Sequence, residues 1–138
     1  MRGQDSRKSV ASPLTQTLGN NNMEPINTKH GEIAFEFASA LVNGNYSTAY
    51  NLLSETQKKE RSPDSLKEEY ENMIEYGEGP VNHIEAMNEL TEWPSKESND
   101  VGWAYVALAS DDFSEAVAVV VCNENNQLKI REIEWGRP

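Results

Sequence analysis

The apolar positions along this chain change period once, and that change divides it into two halves. Between residues 28 and 44 they fall at Ile33, Phe37 and Leu41, with Ala34, Ala38 and Ala40 beside them. This i, i+4, i+8 stripe predicts an amphipathic helix. Asn27 or Thr28 can cap its start, and Gly44 ends it in the left-handed conformation that glycine tolerates. Asn45 offers a second cap, after which Tyr46, Ala49, Tyr50 and Leu53 repeat at i, i+3, i+4 and i+7 over a short second helix. Ser54-Glu-Thr-Gln57 has the spacing of a capping box for another turn or two. Ser62-Pro63-Asp64 then supplies a cap, a proline at the first helical position and an acid at the positive end of the helix dipole. Leu66, Tyr70, Met73 and Ile74 line the face of this third helix, which Gly77 and Gly79-Pro80 stop.

From Val81 the period is 2. Val81 to Trp93 reads as a strand, with Ile84, Ala86 and Leu90 on one face and His83, Glu85 and Glu89 on the other. A polar loop from Pro94 to Asp100 leads into two strands, Val101 to Ser110 and Phe113 to Asn123, joined tightly at Asp111-Asp112. Asn123-Glu-Asn-Asn126 makes the next turn. In the last strand Leu128 and Ile130 share one phase while Ile133 and Trp135 share the other, so a bulge is expected at Arg131-Glu132. The order predicts an α+β fold, with three N-terminal helices packed on the concave face of a curled four-stranded antiparallel sheet. Residues 1–26 are rich in Ser, Thr, Gln and Asn, show neither period and read as a disordered leader, which leaves 27–138 as a single domain.

Two segments carry a family resemblance. Phe37-Ala-Ser-Ala-Leu-Val-Asn-Gly-Asn-Tyr-Ser-Thr-Ala-Tyr-Asn-Leu-Leu-Ser54 ends one helix at Gly-Asn-aromatic and places an Ala-aromatic pair on the next. The closing strand reads Ile130-Arg-Glu-Ile-Glu-Trp-Gly136. Together they resemble the nuclear transport factor 2-like superfamily, particularly its small bacterial members, over roughly residues 30–138. The resemblance implies a cone-shaped α+β fold. It does not choose among isomerases, dehydratases, scaffolds, dimerisation modules and toxin-neutralising immunity proteins, all of which share that fold.

Composition narrows the choice. The net charge is −11. Residues 1–26 hold Arg2, Arg7 and Lys8 against Asp5 and Glu24, which is +1, so the remainder is −12. So acidic a body disfavours nucleic acid and anionic lipid and suits a basic protein partner. No run of apolar residues is long enough to span a bilayer, and the polar N-terminal stretch lacks the apolar core of a secretory signal, so a cytoplasmic location is expected. Cys122 is the single cysteine and lies in the run Ala116-Val-Ala-Val-Val-Val-Cys122, where a buried thiol is expected.

Chemistry-bearing motifs are few. His30-Gly-Glu32 has the H-x-E spelling of a zinc deaminase without its P-C-x-x-C partner. No HExxH, EF-hand ladder or glycine-rich phosphate loop is present, so neither metal nor cofactor is expected. Enzymes of the resembled superfamily hold a carboxylate or His inside the cone. Here Tyr46, Tyr50, Tyr70, His83, Trp103, Tyr105, Glu132 and Trp135 are the pocket candidates, with core filling as the competing role of the aromatics. No catalytic residue is assigned. Val117, Val119 and Val121 lie opposite Ala116, Ala118 and Val120, so both faces of one strand are apolar and both need cover. The valine face is expected to meet a second subunit. A non-enzymatic interaction or dimerisation module follows from this reading, with a small-molecule isomerase or dehydratase as the alternative.

Overall fold

The computed structural model describes residues 28–74, 81–111 and 114–136. The expected leader, the stop at 77–80 and the turn at residue 112 lie outside these residues. Helices come first: α1 (Lys29–Val42), α2 (Tyr46–Asn51), α3 (Glu55–Glu60) and α4 (Pro63–Ile74). Four strands follow: β1 (His83–Leu90), β2 (Asp100–Ala109), β3 (Ser114–Glu124) and β4 (Gln127–Gly136). They pair antiparallel in the order β1-β2-β3-β4 and leave the sheet open.

The helix boundaries follow the local signals. Thr28 caps α1, its side chain accepting the Gly31 N–H at 2.9 Å. Gly44 takes φ +76° directly after the helix, a conformation that costs a residue with a Cβ. Ser54 caps the next turn by accepting from the Gln57 N–H. That turn is a separate helix, so the expected three helices are four. The chain bends at Leu53 because Ser54 donates its N–H to the Ile130 carbonyl and Ile130 donates to the Leu52 carbonyl, both at 2.8 Å. The Gln57 side-chain amide also donates to the Arg131 carbonyl at 2.8 Å. These three bonds cover the outer edge of β4 at Ile130 and Arg131, where it would otherwise offer unpaired backbone. Ser62 and Ser65 cap α4 reciprocally, each amide donating to the other's hydroxyl.

Helix α1 crosses one face of the sheet and meets all four strands. Ala34, Phe37, Ala38 and Leu41 on its stripe bury against Ala104, Val106 and Leu108 of β2, Val117, Val119 and Val121 of β3, and Ile130 of β4. Helix α2 packs beside it and α4 packs on α2, contributing Ala49, Leu66 and Tyr70 to the same core. Burying each large side chain here contributes roughly 1.5–3 kcal/mol.

Three bulges adjust the register. The one in β4 falls at Arg131, between the pairs Val120↔Glu132 and Val121↔Ile130, and it reconciles the two phases of that strand as expected. Another lies at Val101 in β2. The third, at Met87 in β1, has no counterpart in the sequence pattern and reverses the phase of everything after it. Glu89, expected to share a face with His83 and Glu85, therefore pairs with Ala104 on the helix side.

The β4 bulge also aims Arg131 at the start of β2. Its Nε and Nη2 donate to Asp100 Oδ1 and Oδ2 at 2.6 and 2.7 Å, and the Asp100 side chain is 0% exposed. This bidentate pair ties β4 to β2 across β3. Hydrogen bonds from the Arg131 guanidinium are the main cause that holds the Asp100 carboxyl below its ordinary range, outweighing burial. Arg131→Met should destabilise the fold by about 3–5 kcal/mol in urea unfolding at neutral pH, because it strands a buried carboxylate. The sign with pH is set by the depressed pKa: stability from the pair is present above the unfolded value near 3.8 and is lost as pH falls through the folded one. The variant should show a flatter acid limb below about pH 4 than the wild type.

Candidate functional site

The sheet divides the expected site residues between its two faces. On the helix side, Tyr70 is buried against Leu66 and its neighbours, and Tyr46 and Tyr50 pack at the margin of the same core. The Tyr50 hydroxyl donates to the Lys58 carbonyl at 3.2 Å. Trp135 is half-buried on this side, and its indole N–H donates to Glu69 Oε1 at 2.8 Å. That carboxylate also receives the Arg61 guanidinium, so the Trp135 edge is fixed by a charged pair. These four aromatics serve the core. Burial pushes the Tyr70 phenol up to about 12, with the Tyr46 phenol and the Glu71 carboxylate adding to it.

His83, Trp103, Tyr105 and Glu132 lie on the other face. Cross-strand pairs place them there: Trp103 and Tyr105 lie beside Val120 and Ala118 of β3, and Glu132 pairs with Val120 from the far side. Their alternation is out of phase with the buried Ala104, Val106 and Leu108. His83 is exposed and its Nε2 stands 3.0 Å from Glu85 Oε1. Glu132 is exposed as well, 3.3 Å from the Arg131 guanidinium. The place of Glu132 among the pocket candidates is therefore corrected, because the extra residue in the β4 bulge is Arg131 and Glu132 keeps the outward, exposed phase. No single pocket gathers the eight candidates.

Val117, Val119 and Val121 require a second correction. They form the floor beneath α1 and are buried in the helix-side core. The opposite face of the sheet holds the alternate set of side chains. That face carries Trp103, Tyr105 and Ala107 of β2 with Ala116, Ala118, Val120 and Cys122 of β3. Among the described residues no helix lies on it. The Trp103 and Tyr105 rings stack along β2, centroids 5.9 Å apart at 25°. Ala118 lies between Tyr105 and Glu134, and Val120 between Trp103 and Glu132, so small side chains run between taller ones. The small residues are buried, Trp103 and Tyr105 half-buried. Burial raises the Tyr105 phenol, with Glu115 adding to the shift, and its hydroxyl is buried without a hydrogen-bond partner. Burial also raises the Cys122 thiol, as expected of an inert one. At the edge of this face the β1 bulge adds Met87, 57% exposed, next to Asn88, which pairs with Tyr105.

One titratable group escaped the sequence reading. His30 is 2% exposed on α1, and Glu89 reaches it from β1 because of the Met87 bulge. The available signal was position: His30 stands four residues before Ala34, on the stripe continued by Phe37, Ala38 and Leu41. For metals, the described residues hold no group of three or more His, Cys, Asp or Glu side chains. An open depression of about 420 Å³ lies against α4, lined by Ser62, Asp64, Ser65, Lys67, Glu68 and Glu71 and by none of the aromatic candidates. No family model matches the chain, and neither a curated protein nor a solved structure matches it.

The division between faces has a spectroscopic consequence. In an ultraviolet pH titration, Tyr70 should remain protonated at pH 11, and Tyr70→Phe should remove the last phenol to ionise. If all phenols ionise together near pH 10 in the folded protein, Tyr70 is not buried in this core.

Proposed function

We propose that the chain is a non-enzymatic protein-interaction module in which two copies meet through the helix-free sheet face. The supporting observation is that β2 and β3 are apolar on both sides, while α1 covers only one. The contact centres on Met87, Leu90, Trp103 and Tyr105, where rigid aromatic surface adjoins the exposed methionine. The nuclear transport factor 2-like architecture, with helices on a concave sheet face, and a cytoplasmic location belong to the same proposal. The helices-then-meander order and the left-handed Gly44 between α1 and α2 support the architecture. Among the described residues no helix is long and apolar enough to cross a membrane.

The isomerase or dehydratase reading needs an acid–base group and a phenol facing one cavity. Tyr46, Tyr50 and Tyr70 stand on the side of the sheet away from His83 and Glu132. Among the described residues the one phenol that shares their face, Tyr105, has both of them exposed on that face, which counts against this reading. A cationic protein partner is the second reading, favoured by the net charge of −11 and by the exposed Glu132 and Glu134 along the helix-free face.

Sedimentation equilibrium in the micromolar range tests the proposal. The wild type should be a dimer. Met87→Glu, which disturbs an exposed residue and no core contact, should raise the dissociation constant by at least about tenfold, or about 1.4 kcal/mol. Trp103→Glu should do the same. A wild type that is monomeric throughout contradicts self-association. If that monomer binds a lysine-rich peptide, and Glu132→Gln with Glu134→Gln weakens the binding, the cationic-partner reading takes its place.

A further inference from the structure

The first turn of α1 is held to the sheet at two points. On β1, the Thr28 hydroxyl donates to Glu89 Oε1 while accepting the Gly31 N–H, and the Glu89 carboxylate lies so close over Gly31 that a Cβ there would overlap it. On β2, the His30 ring lies directly on the Gly102 backbone, where a Cβ would again overlap. Gly102 and Gly31 are therefore close-approach glycines, one for each point. The His30 ring is almost wholly buried, and its Nε2 has no hydrogen-bond partner.

We propose that His30 is a proton-operated latch, whose protonation releases the first turn of α1 from its seat on Gly102. A neutral imidazole fits this seat, because a bare ring nitrogen against apolar surroundings costs less than a charged one. Protonation makes both ring nitrogens donors and leaves Nε2–H facing no acceptor. The charged groups around it are few. From β1 comes Glu89, already engaged by Thr28. On β2 the neighbours of Gly102 are uncharged, and Asp100 is committed to Arg131. From α1 itself, Lys29 and Glu32 are exposed. The imidazolium satisfies its Nε2–H only by leaving its seat on Gly102, drawing Glu89 from Thr28 as it goes, and both points that hold the turn are then broken.

The direction with pH follows. Burial lowers the His30 pKa from 6.5, and the attraction of Glu89 offsets this only in part. The closed latch is therefore at full strength above that value and weakens as pH falls from it toward the folded pKa. The inference concerns the helix-covered side and does not depend on self-association.

Amide hydrogen exchange over Glu32–Ala34, corrected for its intrinsic pH dependence, reads the latch. Protection should fall about tenfold between pH 7 and pH 5 in the wild type. His30→Phe keeps a ring over Gly102 without a titrating group, and should abolish that dependence. Ring resonances of His30 in the wild type should titrate below 6.5. Glu89→Gln, which removes the attraction, should move that midpoint lower still. A His30 midpoint at or above 6.5, or a His30→Phe variant with unchanged pH dependence, overturns the latch.

Discussion

A strand that is apolar on both faces must be covered on both, and this constraint governs the molecule. β3 is buried at every position from Glu115 to Cys122, while β2 is buried on its helix side and half-buried at Val101, Trp103, Tyr105 and Ala109. One side is met by α1, whose small Ala34 and Ala38 bring it close to the sheet while Phe37 and Leu41 fill the space beneath. With that side filled by close packing, Tyr70 and Trp135 are core and rim, and the interior is spent on stability. On the other side of the sheet Trp103 and Tyr105 stack with no helix above them among the described residues.

Bulges decide which side chains reach which side. Arg131 is an extra residue in β4, and its displacement lets the guanidinium reach over β3 to the buried Asp100. Met87 is an extra residue in β1. It gives the edge strand an exposed apolar side chain and in the same step turns Glu89 under α1, beside His30. A single inserted residue thus shapes both the helix-free face and the helix-side polar cluster. The other edge is treated differently, since β4 is covered at Ile130 and Arg131 by backbone bonds with Leu52 and Ser54 and by the Gln57 amide.

Much of this architecture was legible in the chain. The change of period at Val81, the left-handed Gly44, the Ser54 and Thr28 caps and the bulge at Arg131 were all readable because each leaves a local mark: a glycine, a hydroxyl at fixed spacing, or a broken alternation. The inward face of β3 was not. Val117, Val119 and Val121 alternate with Ala116, Ala118 and Val120, so periodicity gives two equally apolar faces and only the packing of α1 chooses between them. The Met87 bulge was hidden for a related reason. Asn88 and Glu89 are both polar, so the phase reversal leaves no mismatch to see. His30 was passed over as half of a failed zinc motif, although its place on the α1 stripe marked it as inward.

The central claim is that the helix-free face is a contact between two copies. Isotope-filtered NOE spectroscopy on a mixture of labelled and unlabelled chains observes that contact directly. The account predicts intermolecular cross-peaks joining the Trp103 and Tyr105 rings to the Met87 and Leu90 methyl groups of the other copy. Their absence at a concentration where the chain is demonstrably dimeric, with cross-peaks arising from another surface instead, would contradict it.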